Sequence, residues 1–208
     1  MSSEKFERFK SLFFGSAFEA AHDGIDPKVL LSLNEDEKEK AQQLLLDAIR
    51  NSEEDRHFIG IGYLKSKEAI PIIKNRLLQG FKWAYTKVWA AWALWKISND
   101  SDAVKIVIET LKDKNQGEYT RTDAIIALKD FGNRKDVVLA LIEAYSDQRD
   151  NSLVGRYAFR AIGYIYSSDP NIRNLVSLIL DTSSDERYKF RENEINKLTD
   201  LIRRKMRH

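Results

Sequence analysis

The chain reads as an all-α protein, a solenoid of stacked helical hairpins closed by a helical cap at each end. Three observations predict it: an apolar quartet at helical spacing returns with a fixed period, a second helical column returns with the same period, and chain breakers fall between the two. The quartet runs small, small, aliphatic, large: His57-Gly60-Ile61-Leu64, Ala90-Ala93-Leu94-Ile97, Ala124-Ala127-Leu128-Phe131 and Ala158-Ala161-Ile162-Ile165. Its aliphatic member steps by 33, 34 and 34 residues. Offsets of three, four and seven put each quartet on one helix face, and its small residues admit a neighbouring helix closely. The second column is Ile70-Ile73-Leu77, Val104-Val107-Leu111, Val138-Leu141-Tyr145 and Ile172-Leu175-Ile179, stepping by 34 each time. Gly62, Asn99-Asp100, Gly132-Asn133 and Ser167-Ser168-Asp169 are the expected breaks, with Gly132 after a helix end and Asp102 and Asp169 as N-caps.

Composition bounds the chemistry. Of 208 residues, 43% are hydrophobic and 32% charged, enough apolar material for a core. Lys+Arg total 34 and Asp+Glu 32, a formal charge of +2, so no global field draws the chain to nucleic acid or anionic membrane. The absence of cysteine excludes disulfides, thiolate nucleophiles and thiolate-bound zinc. Met1-Ser2-Ser3-Glu4-Lys5 opens without a signal-peptide core, and no apolar run reaches the roughly 20 residues of a membrane span. A cytoplasmic protein without membrane contact, a monomer or weak dimer, is the expectation.

The Ala-x-x-Ala-Leu-x-x-Ile/Phe helix, and a second helix opening Ser66-Lys67-Glu68-Ala69-Ile70-Pro71, resemble the short HEAT-like repeats of bacteria. That resemblance implies a right-handed α-solenoid with four repeats over 53–181 (about 53–81, 82–115, 116–149 and 150–181). Residues 1–52 then form an N-terminal helical cap and 182–208 a basic C-terminal capping helix. In the first cap, Phe6, Phe9, Phe13, Phe14 and Phe18 mark an aromatic helix, and Glu35 to Arg50 a second whose apolar side includes Leu44, Leu45, Ala48 and Ile49. Projecting the period past the fourth repeat puts Glu192 and Asn196 in core columns, so the array ends there.

Function is sought on the faces opposite the core columns. Along the second helices these are sixteen positions, of which eight are acidic and none basic: Glu68, Asp102, Glu109, Asp113, Asp136, Glu143, Asp147 and Asp181. The resemblance implies that this helix lines the concave surface, so Asp102, Glu109, Asp113, Asp136, Glu143, Asp147 and Asp181 become an acidic inner face for a basic protein. Acids at 68, 102 and 136 also suit helix starts, and those at 113, 147 and 181 could equally cap the next helix or hold a loop. Lys105, Lys112, Arg134 and Lys135 flank the columns and dilute the field.

All four tryptophans fall within thirteen residues, 83–95. Tyr85, Trp89, Trp92 and Trp95 form an aromatic patch on the second repeat, with three readings: covered by the aromatic N-terminal helix, a partner or dimer contact, or a stacking site for a base or small ligand. No catalytic motif stands out. His22, His57 and His208 are far apart with no metal-ligand spacing, and His57 replaces an alanine of the later core columns, which points to a buried structural histidine. Gly60-Ile61-Gly62 lies within a helix pattern and lacks the third glycine of a dinucleotide loop. No cofactor and no metal are expected. HEAT-like proteins include scaffolds, bilin lyases and divergent DNA glycosylases, and some compact bacterial ones are candidate immunity proteins for toxins. The expectation is a non-catalytic scaffold for a basic protein, an immunity protein among the options, with nucleic acid not the expected partner. The alternative is a HEAT-like glycosylase or other nucleic-acid binder using the tryptophan-rich region (Trp89, with Asp123 in the same repeat column) and the basic tail Arg203-Arg204-Lys205-Arg207.

Overall fold

The computed structural model describes residues 3–16, 26–147, 153–181 and 187–205; the side chains of 147, 177–181 and 187–195 lie outside the description. Every regular element among the described residues is an α-helix. In chain order these are α1 (Glu4–Phe14), α2 (Lys28–Leu31), α3 (Glu35–Ile49), α4 (Asp55–Leu64), α5 (Ala69–Gln79), α6 (Ala84–Ser98), α7 (Ser101–Lys112), α8 (Glu118–Asp130), α9 (Lys135–Asp147), α10 (Leu153–Ile165), α11 (Pro170–Asp181) and α12 (Arg187–Lys205). The periodic columns thus land on α4, α6, α8 and α10 for the quartets, and on α5, α7, α9 and α11 for the second column. The chain divides into two compact units, 1–107 and 108–208, the division falling inside α7.

In the first unit α4 packs chiefly on α6, with α3 against α4 and α5 against α6. Close approach comes from missing side chains. A Cβ on Gly62 would stand 2.6 Å from Trp92 Cζ3 and 3.2 Å from the Ala93 backbone; one on Gly60 would stand 2.8 Å from the Phe13 ring. Gly62 is therefore an interior contact residue of α4 rather than the break after it. The break is Lys65, which takes the left-handed conformation at φ 53°. α6 is apolar on every side and correspondingly enclosed: Val88 and the run Ala90 to Leu94 are all buried.

The cap helices follow the same logic. Phe6, Phe9 and Phe13 of α1 are buried and stack in sequence, with centroids 5.5 and 5.4 Å apart, while Phe18 lies outside the described residues. On α3 the buried stripe is Ala41, Leu45, Leu46 and Ile49; Leu44, expected on that side, is exposed. Asn34 starts α3 with a capping box, its side chain accepting from the Glu37 amide at 2.9 Å while the Glu37 carboxylate accepts from the Asn34 amide.

In the second unit α8 packs on α10, α9 on α10, and α10 on α11, with α11 against α12. The quartets Ala124-Ala127-Leu128-Phe131 and Ala158-Ala161-Ile162 are buried, as are Val138, Leu141 and Ile172 of the second column. Gly132 follows α8 at φ 78°, a conformation that disfavours any Cβ, and so serves as the expected terminator. Asp169 caps α11, accepting from the amides of Asn171 (3.0 Å) and Ile172 (3.2 Å). Asp102 is not the cap of α7: the neighbouring Asp100 is, accepting from the Asp102 amide at 2.9 Å. Asn196, projected onto a core column, is exposed in α12.

Candidate functional site

The acids of the second helices whose side chains are described are surface residues, and most are compensated from within. In the first unit Asp102 is exposed and pairs with Lys105 one turn on, at 2.7 Å. In the second, Asp136 receives a two-pronged contact from Arg134, at 3.1 and 2.9 Å, which holds its carboxyl below the usual carboxylate range. Glu143 of α9 meets Lys112 of α7 at 2.5 Å. Asp113 accepts from the Gln116 side-chain amide at 2.9 Å and the Asn115 backbone at 3.0 Å, so its carboxyl too titrates low, chiefly through Gln116. Glu109 is exposed, with no side-chain partner among the described residues. The loop reading of Asp113 thus holds in part, since it knits the α7–α8 turn, while its carboxylate remains half exposed. The side chains of Asp147 and Asp181 lie outside the described residues.

Beside Asp136 is a shallow depression of about 520 Å³ lined by Arg134, Lys135, Asp136 and Leu139. Its walls hold no nucleophile and no cluster of ligands. No group of three or more His, Asp or Glu among the described residues is placed to hold a metal ion.

The aromatic patch divides into a buried part and an open part. Trp92 is fully buried, its ring against Gly62 and 5.5 Å from that of Tyr63, both on α4. Trp89 meets it edge-on at 5.6 Å and is half buried. The cover over Trp92 is therefore α4. The aromatic helix α1 packs instead on α2, α3 and α4, over Gly60 and His57. Trp83 is 46% exposed, stacks on Tyr85 at 6.2 Å and carries the Lys82 ammonium 4.8 Å from its ring. Lys96 lies over both Trp92 and Trp95, at 5.5 and 6.0 Å. Trp89, required by a glycosylase cleft to form an open wall, is here a neighbour of the core.

One polar cluster was invisible in the repeat pattern. Arg56 is buried, and its guanidinium donates to the carbonyls of Gly15 (2.8 Å) and Leu12 (3.4 Å), satisfying the end of α1. Glu54 lies 3.5 Å from its Nε. Next to it His57 is buried as expected, with Nδ1 2.7 Å from the Ser52 hydroxyl and the Phe14 ring tilted against it at 4.9 Å. Burial first, and the Arg56 charge second, depress its pKa, so it is neutral in the fold at neutral pH. Asp55 is pushed the other way, up, by burial. The only sequence signal was that His57 stands where the later quartets begin with alanine.

Comparison with protein-family models, with curated proteins and with solved structures gives no match. Among the described residues no helix is long and apolar enough to cross a membrane.

Proposed function

We propose that this chain is a non-catalytic scaffold of HEAT-like repeats that binds a basic protein through the acids of its second helices, with Glu109, Asp113, Asp136 and Glu143 as the described core of the surface. The observation that carries the reading is the sequence pattern, with acids at eight of the sixteen positions opposite the core columns and a base at none; of the sixteen, Ala140 is buried. The internal pairs do not close this surface. Lys112 and Glu143 are each about half exposed, as are Arg134 and Asp136, and exposed pairs contribute only about 0–1 kcal/mol. Arginines or lysines of a partner therefore compete for these carboxylates at small cost, and Glu109 is open to them from the start. Such a surface accelerates encounter with a cationic protein and rejects acidic ones. Neutralisation of a basic toxin in a bacterial cytoplasm is one such task, and the chain would perform it by occlusion.

The test is capture from source-cell lysate on tagged protein, with and without nuclease, followed by the triple reversal E109K/E143K/D147K. A stoichiometric basic protein that survives nuclease, and whose affinity the reversal abolishes, supports the reading. Unchanged affinity in the triple variant refutes the acidic surface. Loss of every protein on nuclease treatment moves the weight to nucleic acid.

A further inference from the structure

On α10, Arg156, Arg160 and Tyr164 stand at i, i+4 and i+8, a single column on the helix face away from its buried residues Val154, Ala158, Ala161 and Ile162. Both arginines are exposed, and neither has an ion-pair partner among the described residues. Tyr164 is 61% exposed. α10 contains no acid at all. From the packed neighbour α8, Lys129 brings its ammonium 4.8 Å from the Tyr164 ring centroid, so the column has a third cation beside its aromatic end. This contrasts with the acids of α9, where Asp136 and Glu143 both have internal partners. Among the described residues, the unpaired charge on α10 is thus positive, and it is combined with an open aromatic ring.

We propose that the Arg156-Arg160-Tyr164 column of α10, with Lys129 of α8, binds single-stranded nucleic acid. Guanidinium forks match phosphate oxygens two at a time, and successive column members are separated by about 6 Å along the helix, comparable to one step of an extended strand. An exposed ring in line with them supplies a stacking platform, which needs an unpaired base. A duplex offers phosphates to the arginines but no base face to Tyr164, so the single strand is the occupant that uses all four residues. The near-zero net charge gives no chain-wide field for non-specific binding, so any binding depends on local strips such as this one. The strip shares no residue with the acidic surface, so each stands or falls alone.

The experiment uses the full chain and fluorescein-labelled fifteen-nucleotide oligo(dT), read by anisotropy at 50 and 200 mM salt. Saturable binding that weakens with salt is expected. R156A/R160A should weaken it at least tenfold at the lower salt and reduce the log–log salt slope by about 1.4, or about 0.7 per lost phosphate contact. Y164A should weaken it about 5- to 100-fold at an unchanged slope, and Y164F should retain it, because only the ring is used. No saturable binding at 50 mM salt overturns the proposal. So does a loss confined to R203A/R204A, which would place the strand on α12. Displacement by poly-glutamate as efficient as by unlabelled oligo(dT), with Y164A inert, also overturns it and assigns the strip to an acidic polypeptide.

Discussion

Replacing Gly62 by alanine tests whether the small-residue column brings α4 and α6 together as described. The added Cβ would fall 2.6 Å from Trp92 Cζ3, 3.2 Å from Trp92 Cε3 and 3.2 Å from the Ala93 Cα. The first two atoms belong to a fully buried indole wedged against Tyr63 and Trp89, and the third is backbone. None is the free end of a flexible side chain, so relief requires the two helices to separate. Overpacking of this kind costs typically about 1–3 kcal/mol. Against that, alanine in a helix interior gains up to about 1 kcal/mol over glycine. Because the close atoms are a locked indole and backbone, the upper part of that range applies, about 2–3 kcal/mol, and the balance is a loss of about 1–2 kcal/mol, a fall in Tm of about 2–8 °C for a chain of this size.

Gly163→Ala provides the contrast. There the Cβ would meet Val176 Cγ1 at 2.7 Å, but the other contacts are at 3.5 Å or beyond and none is backbone, so the strain falls on one β-branched side chain. Propensity then offsets part of the clash, and the loss should be smaller than that of G62A. Urea and thermal unfolding followed by far-ultraviolet circular dichroism measure both. W92F, which removes the benzo carbons that Gly62 faces, should lessen the penalty of G62A in a double-mutant cycle. A G62A protein as stable as the parent, or a cycle without coupling, would mean that α4 and α6 do not meet through this column.

Three further perturbations follow from the polar contacts. Asn34→Ala removes one arm of the α3 capping box and should cost about 0.5–2 kcal/mol by the same unfolding assays. Asp100→Ala should cost a similar amount through loss of the α7 cap, whereas Asp102→Ala, an exposed partner of Lys105, should change stability by less than about 0.5 kcal/mol; equal effects would reinstate Asp102 as the cap. His57 is depressed in the fold, so the unfolded chain takes up its proton first. The penalty begins near pH 6.5, where an unperturbed histidine titrates, and grows as pH falls towards the lower folded value. His57→Ala should therefore flatten the decline of Tm between pH 7 and 5, and an unaltered slope would show that His57 does not report this burial.

The two helical periods were legible in large part because they describe burial, and burial is what hydrophobic spacing records, although Leu64, Ile70, Leu77 and Ile97 end only half-buried. Ala90, Ala93 and Leu94, or Val104, Val107 and Leu111, had only one stable place to go. Chain breaks were less legible. Gly62 has the composition of a terminator, yet its missing side chain serves a close helix contact, and Lys65 turns the chain by accepting left-handed backbone. Asp100 and Asp102 are equally good caps by type, and the choice shows only in which carboxylate accepts a first-turn amide, which no residue spacing records. The junction of α1 with α4 was least legible: Arg56 acts on carbonyls more than forty residues away, and nothing local to it marks that range.

Charge shows the same limit from the other direction. Reading outward columns gives the sign of a surface only if each charge is free, and helix spacing cannot say which charges are. Lys105, Lys112 and Arg134 stand outside the acidic columns in the linear pattern, yet all three reach into them, and the Lys112–Glu143 contact joins two helices thirty-one positions apart. On α10 the converse holds. Arg156 and Arg160 have no carboxylate on their own helix and no ion-pair partner among the described residues. Free charge, more than counted charge, sets what a surface attracts, since a paired carboxylate must exchange one cation for another while an unpaired guanidinium gains its partner outright. The strip on α10 should accordingly respond more steeply to salt than the acids on α9. Parallel titrations of R156A/R160A and D136A/E143A against anionic and cationic probes would read this, and equal salt slopes would refute it.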